Sequence, residues 1–323
     1  MASPNLSEIV TTTLRNRSRK LADNVTENNA ILRYVNMAGN VRPVAGGRTI
    51  VQELDYAENS TYKRYSGYEV LDISPSDVFS AAEFNWKQAA VAVSISGLEE
   101  LQNSGKEQMI DLLRSRVVNA ERTFQNNLSA DIYSDGTADG GKQIGGLQLL
   151  VPDDPTTGTV GGIDRSVWSF WQSFKYAGVG DGGGAVAADT IQAYMNTIYL
   201  NISRGTDHPT LILADNNYYS FYWSSLQQIQ RITQEKEGQA GFLTLKFQGA
   251  DVVFDGGYNG SAPANHMYFL NTNYLHWRPH RDRNIVPLSP DRFAVNQDAM
   301  VKLIAVAGNM CLSNAFLQGV MIA

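Results

Sequence analysis

The residues best suited to chemistry are a Gly-rich hexapeptide, two histidines four apart and a few close acids. GVGDGG at 178–183 has the Gly-x-Gly-x-x-Gly spacing that lets a backbone approach a pyrophosphate. That chemistry needs a buried strand directly before the loop and a helix directly after it, so that the phosphates meet the helix N-terminus. WSFWQSFKYA is poor as a buried strand, and Gly184, Ala185 and Val186 delay a helix, so the match reads as an ordinary loop. His276 and His280 have the spacing of zinc ligands on a helix, but Pro279 breaks a helix there. Arg278, Arg281 and Arg283 would also repel a cation, so both histidines read as structural or interface residues. His208 and His266 have no partners at ligand spacing. Asp153 with Asp154, and Asp135 with Asp139, could hold a cation, yet loop acids are usually only solvated. No Gly-x-Ser-x-Gly or Walker-type loop occurs, and Cys311 has no histidine near it in sequence. The expectation is therefore no catalytic residue, no cofactor and no metal site.

Composition narrows the class further. With 43% hydrophobic and 18% charged residues among 323, the chain is globular and long enough for a large core or two subdomains. A net charge of −6 argues against a general nucleic-acid binder. The single cysteine rules out an internal disulfide framework and fits a reducing cytosol. MASPNLSEIV has neither a charged leader nor an apolar core, so no secretory signal is read there, and no run reaches the ~18 apolar residues of a membrane helix. Without export, the Asn-x-Ser/Thr triplets at Asn16, Asn24, Asn59 and Asn201 carry no meaning.

The elements around these residues are unusual. FNWKQAAVAVSIS, from Phe84, reads as a strand, and after Asn103, Ser104 and Gly105 comes one long amphipathic run. Ile110, Leu113, Val117, Ala120, Phe124, Leu128 and Ile132 recur in steps of three and four, one face of a helix. Ser104 is the expected N-cap, Glu107 and Asp111 suit the positive end of the dipole, and Gly136 is the expected stop. About thirty residues at ~1.5 Å each make a strut of roughly 45 Å.

Before it, RTIVQELDYA and VLDISPSDVFSAA flank the polar ENSTYKRYSGYE, a two-stranded excursion over residues 46–80. Its tip carries Tyr62, Lys63, Arg64, Tyr65 and Tyr68. A long polar hairpin is marginal alone and needs something outside itself to lie on. Tyrosine and arginine suit such a contact, and a surface hairpin folded on its own domain is the competing reading. After the helix, DGTADGGKQIGGLQLLVPDDPTTGTVGG is a boundary loop. Trp168, Trp171, Phe174 and Tyr176 are expected to turn inward. A helix with Ile191, Met195, Ile198 and Ile202 on one face should stop at Gly205, and Asp215 should cap a second helix after the strand TLILA. TLKFQGADVVFDGGY and MYFLNTNYLHWR read as further strands, a sheet flanked by helices. In DAMVKLIAVAGNMCLSNAFLQGVMIA, two apolar runs meeting at Gly308-Asn309 predict a hairpin, with Cys311 a small buried hydrophobe.

This order of parts, carried by FNWKQAAVAVSISGLEELQNSGKEQMIDLLRSRVVNAERTFQNNLSADIYSDGT and GGKQIGGLQLLV, resembles the major capsid proteins of tailed bacteriophages with the HK97-like fold. The resemblance covers nearly the whole chain. It implies an α+β fold with an N-terminal arm (1–45), an extended hairpin loop (46–80) and a peripheral domain with a long spine helix (81–136). An axial α/β domain (137–290) and return strands to the peripheral domain (291–323) complete it. It implies a subunit that assembles as pentamers and hexamers into an icosahedral shell around double-stranded DNA, in the virion and built in the host bacterial cytoplasm. A separate scaffolding protein, a portal protein and a decoration protein are the implied partners, with no membrane. The scaffold is expected as a separate chain because the arm starts almost at Met1. Some relatives join a loop lysine to an asparagine through an isopeptide bond; Lys63 is the sole donor near the tip, but no acceptor motif is present and the bond is not expected.

Within the arm, Arg15, Arg17, Arg19 and Lys20 form the strongest basic cluster. They could line the shell interior and contact DNA phosphates without reading sequence. A solvated helix face, or ion pairs with a neighbouring subunit, is the favoured alternative. Two other functions stay open: an encapsulin-type compartment on the same fold, and a nucleotide-binding α/β enzyme.

Overall fold

The computed structural model describes residues 29–102, 112–226, 244–255, 262–288, 292–293 and 298–323. Two sheets organise the chain. The first is built on β14 (Ala299–Leu312), which pairs antiparallel with β3 (Lys87–Ser96) from Ala299↔Ser96 to Gly308↔Lys87. Its other edge receives β13 (Arg292–Phe293), β12 (Val286–Pro287) and β11 (Leu275–Pro279) in turn. Apart from a short ribbon of β4 (Thr159–Val160) with β5 (Ile163–Asp164), the second sheet runs β6 (Phe174–Ala177), β15 (Gly319–Ile322), β10 (Met267–Leu270), β7 (Leu211–Ala214), β9 (Ala250–Phe254), β8 (Thr244–Phe247).

β7 is buried at every position because both faces of its sheet are covered, which is why it reads as a continuous apolar run. Ile212 and Ala214 meet Ile191, Met195, Ile198 and Ile202 of α5 (Ile191–Asn201) and its C-cap, and Tyr218 and Tyr222 of α6 (Asn216–Ser225). Leu211 and Leu213 point the other way, into the main core. The side-chain alternation of a strand thus divides one tetrapeptide between two clusters. Asp215 caps α6 by accepting from the Tyr218 amide at 2.9 Å, as the sequence indicates.

The long helix α3 (Leu112–Ile132) follows α2 (Gly97–Gln102) and packs on β3. Val117 and Ala120 pack with Val93, while Phe124, Leu128 and Ile132 enter the main core, so the stripe read from the sequence is buried from Val117 to Ile132. Ile110, Ser104, Glu107 and Asp111 lie outside the described residues. The helix ends at Ile132, before Gly136, and the turn is closed by Tyr133 and Ser134 amides on Ala130 and Asp131 oxygens. Beyond it, Gly146 lies so close that a Cβ there would sit 2.3 Å from the Ile132 carbonyl oxygen. The short helix α4 (Leu147–Leu150) starts from that contact.

Several expectations fail, each for a tertiary reason. Gly308 and Asn309 form no hairpin: they are interior to β14, paired with Pro279 and Arg278. The glycine is needed because a Cβ would meet the Arg278 oxygen and the Pro279 Cα at 2.9 Å, a close backbone approach and not a turn. The end of the chain does not return to the first sheet, since β15 lies between β6 and β10 in the second. Residues 29–45 do not behave as a free arm. α1 (Ala30–Met37) buries Ile31, Leu32 and Val35 in the main core, capped by Asn29, and Val41 and Val44 bridge to Trp277 and His280. VLDIS is no strand: β1 (Ile50–Asp55) pairs with β2 (Phe79–Phe84), and Asn85 and Trp86 separate β2 from β3. α5 ends at Asn201, short of Gly205. Trp168 is about half exposed while Trp171 is buried. A strand, β6, does precede the Gly-rich loop, contrary to the sequence reading.

Candidate assembly surface

Residues 56–78, between β1 and β2, contain neither helix nor strand. Only Tyr56, Thr61, Ser76 and Val78 in this stretch are even half-buried. The predicted tip residues Tyr62, Lys63, Arg64, Tyr65 and Tyr68 are all exposed, Tyr68 completely. The loop has no core of its own, yet it keeps local order. Tyr56 N donates to Val78 O at 3.0 Å, extending the ribbon by one bond. Above that, Asn59 Oδ1 accepts from the Thr61 amide at 2.9 Å and from Ser76 Oγ at 3.1 Å, tying the limbs together. Lys63 pairs with Glu69 at 3.2 Å and reaches the Val70 oxygen. Both members of that pair are about half exposed, so it contributes little beyond orientation. Ser74 donates twice to Asp72, holding that carboxyl below its ordinary range.

What the loop leaves in water is informative. Val70 is 86% exposed and Ile73 93%, with Leu71 also open, and on the ribbon at its root Phe79 of β2 and Val51 of β1 are exposed too. Covering each such side chain is worth roughly 1.5–3 kcal/mol before ordering costs, so the isolated chain retains a drive to place this loop against something. The tip was legible in the sequence; the apolar limb through Val70 and Ile73 was read as strand and its exposure was missed.

At the loop's root, Tyr56 stacks on Phe170 at 5.4 Å and meets the edge of Trp168 at 6.0 Å. Beneath them opens a cleft of about 710 Å³, walled by Leu54, Asp55 and Tyr56 on one side and Asn201, Arg204 and Phe316 on the other. Nothing in the sequence pattern pointed to it, because its walls come from four distant segments.

The residues with chemical spacing stay apart or are otherwise engaged. In GVGDGG, Asp181 accepts from the Ala177 amide at 2.6 Å and Gly183 N closes on Gly178 O, and α5 begins only at Ile191. An anion would face a carboxylate there instead of a helix N-terminus. His276 lies on β11 with Nε2 3.1 Å from Ser313 Oγ, and burial with the Arg278 and Arg42 guanidiniums pushes it down to about 4. His280 packs edge-on to Trp86 at 5.5 Å. His266 pairs with Asp153 at 3.0 Å. Asp154 and Asp135 accept from Thr156 and Thr157, and from Thr137, and are held low by those bonds. Among the described residues no three His, Cys, Asp or Glu side chains gather as a metal site. Cys311 is buried in β14 and its thiol is pushed up to about 12 by burial, which makes it unreactive at neutral pH. The basic cluster Arg15, Arg17, Arg19 and Lys20 lies outside the described residues.

No family model matches the chain, and no curated protein matches its sequence. Solved structures do. The capsid asymmetric unit of cyanophage A-1(L) superposes with a TM-score of 0.64 at 16% identity, over 90% of this chain and 91% of that one. The capsid of an empty GTA particle gives 0.56 at 11% identity over 99% and 95%. The procapsid of satellite phage P4 gives 0.53 at 12% identity over 98% and 92%. The likeness is one of fold, and the fold is that of phage capsid proteins.

Proposed function

We propose that this chain is the major capsid subunit of a tailed phage, assembling into an icosahedral shell of pentamers and hexamers around double-stranded DNA. The observation that carries the reading is the exposed loop 56–78, apolar along one limb and aromatic and basic at its tip, on a chain with a capsid-protein fold. On this reading the β14 sheet with α3 is the peripheral domain, the six-stranded sheet is the axial domain, and the loop lies across the adjacent subunit. Tyr62, Lys63, Arg64, Tyr65 and Tyr68 are then inter-subunit contacts. Arg15, Arg17, Arg19 and Lys20 line the interior, or pair with a neighbour, and any DNA contact they make ignores sequence. Scaffolding, portal and decoration proteins and assembly in the host cytoplasm belong to the same reading. Among the described residues no helix is long and apolar enough to cross a membrane.

The reading makes the protein structural and not an enzyme, and the engaged Asp181 in the Gly-rich loop weighs against nucleotide binding. Electron microscopy of the purified chain tests it. Closed particles several hundred ångströms across are expected, and DNA within those purified from infected cells. A persistent monomer that binds nucleotide would overturn the proposal, and particles loaded with an enzyme and no DNA would make the chain a compartment shell.

A further inference from the structure

Three segments far apart in sequence bring arginines to one corner of the first sheet. Val41 and Val44 bridge in parallel to Trp277 and His280, and the Arg42 amide donates to the Trp277 oxygen at 3.2 Å. Arg42 and Arg278 follow the Val41–Trp277 bridge, so they stand side by side on the face opposite Trp277. Burial and the Arg42 charge both lower Arg278. In the turn after β11, the Arg281 amide donates to Val44 O at 3.0 Å, and Arg283 O accepts from the Ala307 amide at 2.8 Å. Gly47 O accepts from the Trp86 indole at 3.0 Å, and Trp86 lies edge-on to His280, which brings Arg48 to the same turn.

Among the described residues, none of Arg42, Arg48, Arg278, Arg281 and Arg283 makes an ion pair. Arg42, Arg278 and Arg283 donate only to neutral oxygens, those of Gly39, Gln52 and Gln88. All but Arg278 are exposed, and Asp282 is the only acid on the three segments. The net charge of −6 conceals this corner, because acids more than about 10 Å away are screened at ~0.1 M salt. Like charges side by side on paired strands repel, and an anion from outside relieves that cost.

Charge density and residue type identify the anion. The seven residues from Arg42 to Arg48 reach about 20 Å when extended, and a duplex with one charge per ~1.7 Å of axis sets roughly a dozen phosphates along that length. A second copy of this chain offers no such array, since Asp72, Asp135, Asp154 and Asp164 are each engaged by a Ser or Thr two residues on. Guanidinium forks suit paired phosphate oxygens. These arginines sit on strand ends and a turn, not on a helix that could enter the major groove, so they meet the backbone and not the base edges.

We propose that the corner formed by Arg42, Arg48, Arg278, Arg281 and Arg283 binds the phosphate backbone of double-stranded DNA, without regard to sequence. This rests on the capsid reading and deepens it, because the corner then marks the face of the folded subunit that is turned towards the enclosed DNA.

Fluorescence anisotropy of the purified full-length chain, before assembly, with a short mixed-sequence duplex tests the site. The variant Arg48→Gln, Arg281→Gln, Arg283→Gln should bind at least about tenfold more weakly at ~50 mM salt, and its slope of log Kd against log salt should fall by roughly 2–3, near one phosphate per arginine. A control with Arg122→Gln, Lys142→Gln and Arg204→Gln removes the same charge elsewhere and should change affinity less than about threefold. All six positions are exposed, so neither variant should move the unfolding midpoint. Equal losses in both variants, no loss in the first, or strong preference for one duplex sequence each overturn the site. A first variant that binds DNA normally but no longer forms particles also overturns it, and makes the corner a contact with a second copy. If the unmodified chain binds DNA through these arginines yet never forms closed particles, the capsid reading fails and the DNA site stands.

Discussion

Asn309, deep within β14, accepts the amide of Gly145 on its Oδ1 at 3.1 Å. The same oxygen takes the Met310 amide, and its Nδ2 donates to Asn85 O, so one side chain joins the break between β2 and β3 to the segment beyond α3. The side chain is buried, and each bond would leave a dry polar group if broken. Asn309→Ala should destabilise the chain by about 2–4 kcal/mol in urea unfolding, while Asn119→Ala, exposed on α3, should stay within about 0.5 kcal/mol. Equal effects would mean that the Asn309 contacts are not made in solution.

Phe124 anchors α3 in the main core at 5% exposure, with Arg122 exposed on the flank. Phe124→Ala should cost about 3–5 kcal/mol and yield aggregating subunits, and Arg122→Ala should be mild. Soluble expression and thermal unfolding of the two variants check this; similar behaviour would place the stripe in solvent.

His276 sets a pH dependence. The folded chain keeps its imidazole neutral down to about 4, because burial and nearby guanidiniums oppose the charge, while the unfolded chain protonates near 6.5. Between those values the unfolded state binds more protons, so stability falls as pH is lowered through the window and levels off below it. The loss from this group is about 3 kcal/mol. His276→Gln should flatten that part of the stability curve relative to the unmodified chain. An unchanged difference across pH 6.5 to 4 would show that His276 is solvated.

The loop should matter to assembly and not to folding. Replacing residues 57–68 with a short Gly-Ser linker removes no buried side chain and should leave the unfolding midpoint unchanged while particle formation fails or yields fragile shells. A subunit that unfolds on this replacement would make the loop part of the core.

Gly308→Ala separates the two roles a glycine can have here. The new Cβ would press on the Arg278 oxygen and Pro279 Cα, so β11 must shift, and a loss of about 2 kcal/mol or more is expected. Hydrogen exchange of the β11 and β14 amides should rise together; protection unchanged at both would contradict the continuous strand.

Features that depend on periodicity and local capping could be read from the residues alone. The stripe from Val117 to Ile132, the apolar face from Ile191 to Ile202, the strand Leu211–Ala214 with its Asp215 cap, and the polar loop tip were all legible because neighbours at fixed spacing set them. Tertiary structure alone decided the path of β14 through Gly308 and Asn309, where a turn signal yielded to pairing with a strand thirty residues away. It alone decided that β15 joins the second sheet, and that eight residues from Ala30 form a helix, which is too short to hold without the core it enters. The cleft beneath Tyr56 belongs here too. Its walls come from segments more than two hundred residues apart, and no local pattern can encode a space that only their packing encloses.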